Sequence, residues 1–139
     1  MFITKECDYA IRVVRGLADG EIKAVKNVCE EEHIPHSFAY KILKKLEREG
    51  IVMSFRGNTG GYQLVKGLEE LTLFEVVQAV DKRLFINECL EDGYVCSRNG
   101  ACDRCMVHRE FLRIQGILNE ALQEKTIQEI VSANIGEKW

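Results

Sequence analysis

The feature that most constrains how this 139-residue chain can fold is a helical segment that runs directly into a glycine-rich hairpin. Apolar residues recur at helical spacing from His36 until Gly50 ends the segment. Two strand-like runs follow, at residues 51–55 and 62–65, and the loop between them reads RGNTGG. Glycine and asparagine tolerate the positive φ angles that a tight hairpin connection needs. The stretch therefore predicts a helix with a small β-hairpin attached to its end.

A shorter helix precedes this unit, and the two helices together form a known pattern. The shorter helix covers residues 26–32, and Pro35 ends it because proline disfavours the helical region in the preceding residue and supplies no backbone donor. Residues 37–66 hold six Lys and Arg against two Glu, a net charge of +4. Two helices around a tight break, the second one basic, indicate a helix-turn-helix, and the hairpin is then its wing. The lysines alone also fit a solvated helix face.

A winged helix-turn-helix predicts contact with double-stranded DNA. The second helix would enter a major groove, and the bare glycine backbones of the hairpin could approach phosphates or a minor groove. The local basic charge suits that contact although the whole chain carries a formal charge of −3. The residues expected at the DNA lie on the helix and in the hairpin: Ser37, Tyr40, Lys41 and Lys44, then Arg56, Asn58, Thr59 and Gly60.

The other periodic segments complete a mainly α fold with a small β-hairpin. Further helices are predicted over residues 4–17, with Thr4 as the N-cap, and over residues 74–81, 106–125 and 126–132. The long helix has more apolar surface than a small domain can cover, so we expect it to pair with its mate in a homodimer that reads a pseudo-palindromic operator. Its apolar stripe consists of Phe111, Leu112, Ile114, Ile117, Leu118 and Leu122. In the last helix Ile127, Ile130 and Val131 are expected to be buried.

The chain divides into three segments on this interpretation. Residues 1–82 form the winged helix-turn-helix DNA-binding domain, residues 83–105 a cysteine-rich loop, and residues 106–139 the dimerisation helix and a C-terminal helix. Apolar runs long enough to span a bilayer are absent from the sequence, and acids stand near the N-terminus where a secretory signal would carry basic residues. We therefore expect a cytoplasmic protein without membrane contact.

The cysteine-rich loop contains four of the six cysteines of the chain. Cys89, Cys96, Cys102 and Cys105 are followed by His108, and only the last two cysteines form a Cys-x-x-Cys pair. In a reducing cytosol clustered cysteines indicate metal ligands or redox groups rather than structural disulfides. The spacing lacks the two paired knuckles of a closed zinc site and the tight run of bacterial ferredoxins. An iron–sulfur cluster, a zinc ion and a metal-free redox switch all stay open at this point. Cys7 and Cys29 are interpreted as small, weakly reactive core or surface residues rather than ligands.

Five stretches resemble the IscR/NsrR/RirA-type winged-helix transcription regulators, over essentially the whole chain. They are ITKECDYAIRVVRGLA, IPHSFAYKILKKLEREGIV, SFRGNTGGYQL, LTLFEVVQAVD and the cysteine loop. The resemblance implies a dimeric DNA-binding repressor or activator, not an enzyme, that carries a 2Fe-2S or 4Fe-4S iron–sulfur cluster ahead of its dimerisation helix. Three ligands carry over to Cys89, Cys96 and Cys102.

The fourth ligand is where this chain departs from the best-known members. IscR-type members place a histidine three positions after the third cysteine, and Cys105 stands there. NsrR-type members use an aspartate from the partner subunit, and Asp8 stands at the matching position. We favour Cys105, because a thiolate one helical turn from Cys102 needs little extra ordering, and keep Asp8 and His108 as alternatives.

The expected function is a DNA-binding transcription regulator that senses iron–sulfur status or redox and nitrosative stress through the cysteine loop. One alternative is a nitric-oxide-sensing repressor that uses Asp8 as the partner-subunit ligand. Another is a regulator controlled by a partner protein, without a cluster and with the cysteines vestigial or filled by zinc. A redox carrier or small iron–sulfur enzyme component would need the cluster but neither the basic helix nor the wing.

Overall fold

The computed structural model of the protein describes residues 3–98, 100 and 105–133. Within these residues the chain forms six α-helices, a short 3-10 helix and a two-stranded antiparallel sheet. This confirms the mainly α fold with a winged helix-turn-helix. In chain order the elements are α1 (Lys5–Gly16), α2 (Val25–Glu32), α3 (His36–Arg48), β1 (Val52–Phe55), β2 (Gly61–Leu64), α4 (Leu73–Val80), the 3-10 helix (Glu88–Leu90), α5 (Met106–Glu124) and α6 (Ile127–Ser132).

Threonine caps explain where three of the helices begin. Thr4 accepts a hydrogen bond from the backbone N–H of Cys7, as expected from the sequence. Thr72 and Thr126 each form a capping box with the glutamate three residues later, which fixes the starts of α4 and α6. Between α2 and α3 the chain turns at His33, whose φ of 53° lies in the left-handed region. That turn sets the angle between the two helices.

The wing is attached to the rest of the domain by backbone hydrogen bonds. β1 pairs with β2 in a register that places Val52 opposite Leu64 and Phe55 opposite Gly61. Lys23 and Tyr62 exchange N–H to carbonyl hydrogen bonds, both 2.9 Å long, so the link between α1 and α2 adds a third, single-residue edge to the hairpin. The close approach requires Gly61, because a Cβ there would overlap the carbonyl of Lys23.

A single hydrophobic core joins α1 to α4 with the C-terminal helix. Leu17, Ile42 and Leu46 are fully buried, and Ile127 of α6 enters the same core. The backbone N–H of Ile127 donates to the carbonyl of Leu71 at 2.7 Å, which docks α6 beside the start of α4.

The predicted burial of α6 is wrong for one residue. Val131 is 42% exposed, because α6 contacts the core through the face that carries Ile127. In the described part of the chain, no helix combines the length and the apolar character needed to cross a membrane. The division of the chain at residues 82 and 105 stays a prediction.

The substitution Gly61→Ala is expected to destabilise the protein by about 1–3 kcal/mol, because the added Cβ must push the wing away from Lys23. Denaturant unfolding measures the change. Thr59→Ala in the exposed wing loop is the control and should change stability by less than about 0.5 kcal/mol. Equal stability of both variants would contradict the close packing of Gly61.

Candidate nucleic-acid interface and cysteine segment

The recognition helix α3 has one buried and one exposed face. Ala39, Ile42, Leu43 and Leu46 are buried in the core. On the other side Ser37, Tyr40 and Lys44 are exposed at helical spacing, and Tyr40 exposes 52% of its surface. An exposed polar and aromatic stripe on a basic helix is a surface that can contact base edges and phosphates.

The basic charge of α3 is partly neutralised within the protein. Glu6 of α1 pairs with Lys41, and its second oxygen lies 2.7 Å from the Nζ of Lys45. Lys45 also donates to the carbonyl of Val80 at the end of α4. Hydrogen bonds from Lys41 and then Lys45 hold the pKa of the Glu6 carboxyl below its ordinary value. Sequence reasoning placed Lys41 at the DNA but missed this pairing, because Glu6 is far away in the sequence.

The wing loop is exposed and stands beside α3. Arg56, Asn58 and Thr59 are all exposed, whereas Gly60 is half-buried. A Cβ at Gly60 would overlap the carbonyl of Phe55, so the turn itself requires this glycine, whatever it contacts outside.

Glu47 joins the wing to the recognition helix. Its Oε1 accepts a hydrogen bond from the backbone N–H of Ser54 at 3.1 Å and another from the Ser54 hydroxyl at 2.6 Å. The phenol of Tyr62 lies in the same region. Burial raises the pKa of Tyr62, and the nearby charge of Glu47 raises it further. Glu47 continues the stripe of Ser37, Tyr40 and Lys44, a helical spacing that could have marked it in the sequence.

Three of the four predicted cysteine ligands lie in the described residues, and each is partly exposed. Cys89 lies in the 3-10 helix, where its N–H donates to the side chain of Asn87 at 3.0 Å. Cys96 and Gly100 exchange two backbone hydrogen bonds, of 2.9 and 2.8 Å, which close a tight loop. Cys102 lies outside the described residues. Of the core and surface positions left open for Cys7 and Cys29, the structure places both side chains in the core.

Cys105 occupies the position that begins the long helix. It is the N-cap of α5, and its sulfur accepts a hydrogen bond from the N–H of His108 at 3.5 Å. The Nδ1 atom of His108 is buried and has no hydrogen-bond partner among the described residues. A buried imidazole nitrogen without a partner is costly unless another group satisfies it.

The predicted ligands are not gathered at one point in the described structure. Over residues 3–98, 100 and 105–133, Cys, His, Asp and Glu side chains form no group of three that could hold a metal ion. Asp8, the alternative ligand, pairs with Arg12 at 3.0 Å. Arg12 also donates to the backbone carbonyl of Glu32, at the end of α2. Asp8 is thereby connected to the helix-turn-helix.

A buried glutamine connects the cysteine segment to α5. Gln115 is 7% exposed; its Oε1 accepts from the N–H of Ile86 at 2.9 Å, and its Nε2 donates to the carbonyl of Leu84 at 2.8 Å. Asn119, one turn further on, accepts from the same Nε2. These bonds hold the backbone just before Cys89 on the middle of α5. Sequence reasoning missed Gln115, because it interrupts an otherwise apolar stripe.

The apolar stripe of α5 is divided between two faces. Phe111, Leu118 and Leu122 are half-buried on the side of Gln115. Ile114 and Ile117 project away from the protein, with 38% and 53% exposure. The second apolar face is therefore exposed to solvent in the single chain, and exposed apolar patches are typical of interaction surfaces.

A winged helix-turn-helix followed by a cysteine segment and a long helix defines a DNA-binding transcription regulator rather than an enzyme. The chain belongs to the Rrf2 family, whose model, described as iron-dependent transcriptional regulator, matches residues 3–133. This confirms the family resemblance found in the sequence.

Individual relatives carry different names. The chain is 31% identical over 136 residues to protein aau3 of Rhizobium meliloti, covering 96% of this chain and 86% of that protein. It is 28% identical to the HTH-type transcriptional regulator NsrR of Shouchella clausii, covering 94% and 89%. A solved structure of CymR, the global cysteine regulator of B. subtilis, has the same fold, with a TM-score of 0.72 at 20% identity over 95% of this chain and 97% of that chain.

The pairing of Glu6 with two lysines predicts a pH dependence. Because the folded pKa of Glu6 is lowered, its contribution is present above the ordinary value of 4.5 and is lost as the pH falls through the lowered pKa. Glu6→Gln should therefore cost about 1 kcal/mol at neutral pH, and the difference from wild type should disappear in acid. Urea unfolding from pH 7 down to pH 3 measures this, with Glu70→Gln in an exposed loop as the control. A difference that grows in acid would contradict the assignment.

Proposed function

We propose that this Rrf2-family regulator binds double-stranded operator DNA in the cytoplasm as a homodimer and senses iron–sulfur or redox status through an iron–sulfur cluster. The observation that carries the DNA-binding part is the exposed stripe of Ser37, Tyr40 and Lys44 beside a wing whose loop begins at Arg56. It supports a major-groove helix with an adjoining wing, the arrangement that winged helices use.

The proposed roles of the interface residues follow from their chemistry. Ser37 and Tyr40 would contact base edges, and Lys44 would contact phosphates. Lys41 is exposed but already paired with Glu6, so its phosphate contact would compete with that carboxylate. In the wing, Arg56 would reach a minor groove or flanking backbone, with Asn58, Thr59 and Gly60 beside it.

The outward face of α5 supports the proposed homodimer. Ile114 and Ile117 leave an apolar face that the chain does not cover itself. Gly116 adjoins it and has open space where a Cβ would stand, so no contact among the described residues explains a glycine there. Two α5 helices packed about a two-fold axis would bury this face and place two recognition helices for a pseudo-palindromic site.

The donor chemistry of the cysteine segment fits an iron–sulfur cluster, since soft thiolates are the ligands such clusters take. Cys89, Cys96 and Cys102 would hold it, with Cys105 as the fourth ligand. The buried Nδ1 of His108 lies one turn from Cys105 and lacks a hydrogen-bond partner in the part of the chain that the structure describes, which keeps His108 as an alternative. A bound cluster would supply redox and nitric-oxide chemistry at this position.

Cys105 gives a physical route from the cysteine segment to the dimer. As N-cap it satisfies the N–H of His108 at the start of α5. Sulfurs at iron–sulfur clusters also accept N–H hydrogen bonds, so a ligating Cys105 would connect the cluster to the first turn of α5 through the same sulfur. Gln115 ties the other end of the segment to the same helix. A change in the segment would then shift α5 and the spacing of the paired recognition helices.

A second candidate is a nitric-oxide-sensing repressor with Asp8 as the fourth ligand from the partner subunit. Two contacts of Arg12 favour it: Arg12 pairs with Asp8, and it donates a hydrogen bond to the backbone carbonyl of Glu32. Ligation of Asp8 would release Arg12 next to the helix-turn-helix, which gives a direct route to the DNA-binding surface.

Lys44→Ala should weaken binding to an operator duplex and reduce the slope of log affinity against log salt by about 1, because one phosphate contact is lost. Titration by fluorescence anisotropy at several salt concentrations measures both. Lys125→Ala, at the end of α5, removes the same charge away from the interface and should leave the slope unchanged. Equal slopes for the two variants would contradict the proposed DNA-facing side of α3.

Anaerobically purified wild-type protein should contain iron and sulfide and show visible absorption, and Cys105→Ser should lose cluster stability more than His108→Ala does. Asp8→Asn separates the regulator with Cys105 as fourth ligand from the nitric-oxide-sensing repressor, because only the repressor, which uses Asp8 as fourth ligand, should lose the cluster in that variant. Iron content and Mössbauer spectra provide the comparison, with Cys29→Ala as a core-cysteine control. Colourless wild-type protein without iron would contradict the cluster and favour control by a partner protein or by zinc.

A further inference from the structure

Glu47 is an acid on the side of α3 that carries the proposed DNA contacts. A carboxylate beside phosphates opposes binding, since like charges repel. Glu47 nevertheless lies on the stripe of Ser37, Tyr40 and Lys44. A role in arranging the surface, rather than in direct contact with DNA, explains an acid at this place.

The outer half of the wing has little apolar packing to hold it. Val52 is buried, but from Met53 through Phe55 strand β1 is exposed. Tyr62, which faces Ser54 across the hairpin, uses its backbone N–H and carbonyl to pair with Lys23. The N–H of Ser54 therefore points out of the hairpin, and it donates to Glu47.

Glu47 contacts the strand immediately before the wing loop. Ser54 makes both of its hydrogen bonds to the same carboxylate oxygen, at 3.1 and 2.6 Å. Arg56 is only two residues beyond Ser54, so a tether at Ser54 restricts the direction in which Arg56 leaves the strand. The raised pKa of Tyr62, to which Glu47 contributes after burial, also locates the charge at this junction.

We propose that Glu47 is a positioning residue that fixes the wing against the recognition helix and thereby aims Arg56 at the DNA. This inference rests on the proposed DNA-binding function. Glu47 acts through Ser54 on the wing, and its own negative charge reduces affinity slightly while its hydrogen bonds raise it.

The tether is tested first in the free protein. Glu47→Ala should speed hydrogen exchange at the amide of Ser54, because that amide loses its acceptor, whereas Glu47→Gln retains an oxygen acceptor and should protect it. Exchange measured by NMR gives the result residue by residue. Unchanged exchange at Ser54 in Glu47→Ala would overturn the tether, whether or not the protein binds DNA.

The effect on DNA is tested with a duplex of about 30 base pairs selected from a random library by the wild-type protein, long enough for two half-sites and their flanks. Glu47→Ala should lower affinity about tenfold, the scale of one lost contact, and should reduce the salt slope as Arg56→Ala does. Glu47→Gln should bind at least as tightly as wild type. The double variant Glu47→Ala with Arg56→Ala should bind no worse than Arg56→Ala alone, because both substitutions remove the same contact of Arg56 with DNA.

Glu49→Ala is the matched control, since it removes the same charge two residues further along the chain. Glu49 pairs with Lys82 and not with a residue of the wing. It should leave affinity unchanged or slightly raised. If wild type binds the duplex and Glu47→Ala binds equally well, or if its effect adds fully to that of Arg56→Ala, the positioning role is overturned. If selection with wild type recovers no sequence and binding shows no salt dependence, the DNA-binding function itself fails and this inference fails with it.

Discussion

The backbone pairing between Lys23 and Tyr62 is the constraint on which the arrangement of the wing and α3, the proposed DNA-binding surface, depends. It joins the segment before α2 to the wing after α3, so that the hairpin cannot swing away from the helices it follows. Gly61 makes the approach possible, because any side chain there would overlap Lys23. Two backbone hydrogen bonds in a partly buried position carry a modest net energy each, but together they select one position for the wing.

The charge on the surface of α3 depends on an acidic side chain of α1 as well as on its own lysines. Of the basic side chains on α3, Lys41 and Lys45 are held by Glu6, and Lys45 also closes the end of α4. The free positive charge that faces solvent is therefore smaller than a count of lysines in the sequence indicates. Glu6 stabilises the contact between α1 and α3, and DNA phosphates would have to compete with it for Lys41. With Lys41 at the DNA, as proposed, affinity and domain stability would be coupled through the carboxylate of Glu6.

Most of the fold could be predicted from the sequence because its signals are local. Apolar periodicity, Pro35, Gly50 and the threonine cap at Thr4 place the helices within about two residues of their observed bounds. The pairing of Lys23 with Tyr62 could not be predicted, since a single paired residue produces no periodic pattern of apolar residues in the sequence. The predicted burial of Val131 is wrong because α6 is short and only one side of it meets the core. The long apolar stripe of α5 was correctly recognised, but periodicity alone could not divide it between an inner and an outer face.

The candidate site is less predictable than the fold because it depends on contacts between distant segments. The thiols of Cys89, Cys96 and Cys105 are identified by spacing, yet what ties them to the protein are side chains without any motif, such as Asn87 and Gln115. Gln115 is the more informative of these. A buried amide that satisfies two backbone groups is costly to separate from them, since each would be left unpaired. The segment before Cys89 must therefore move together with the middle of α5, while Cys105 caps the start of the same helix. Residues 84–86 and Cys105 are in this way both attached to α5, the former through Gln115 and the latter as the N-cap of the helix.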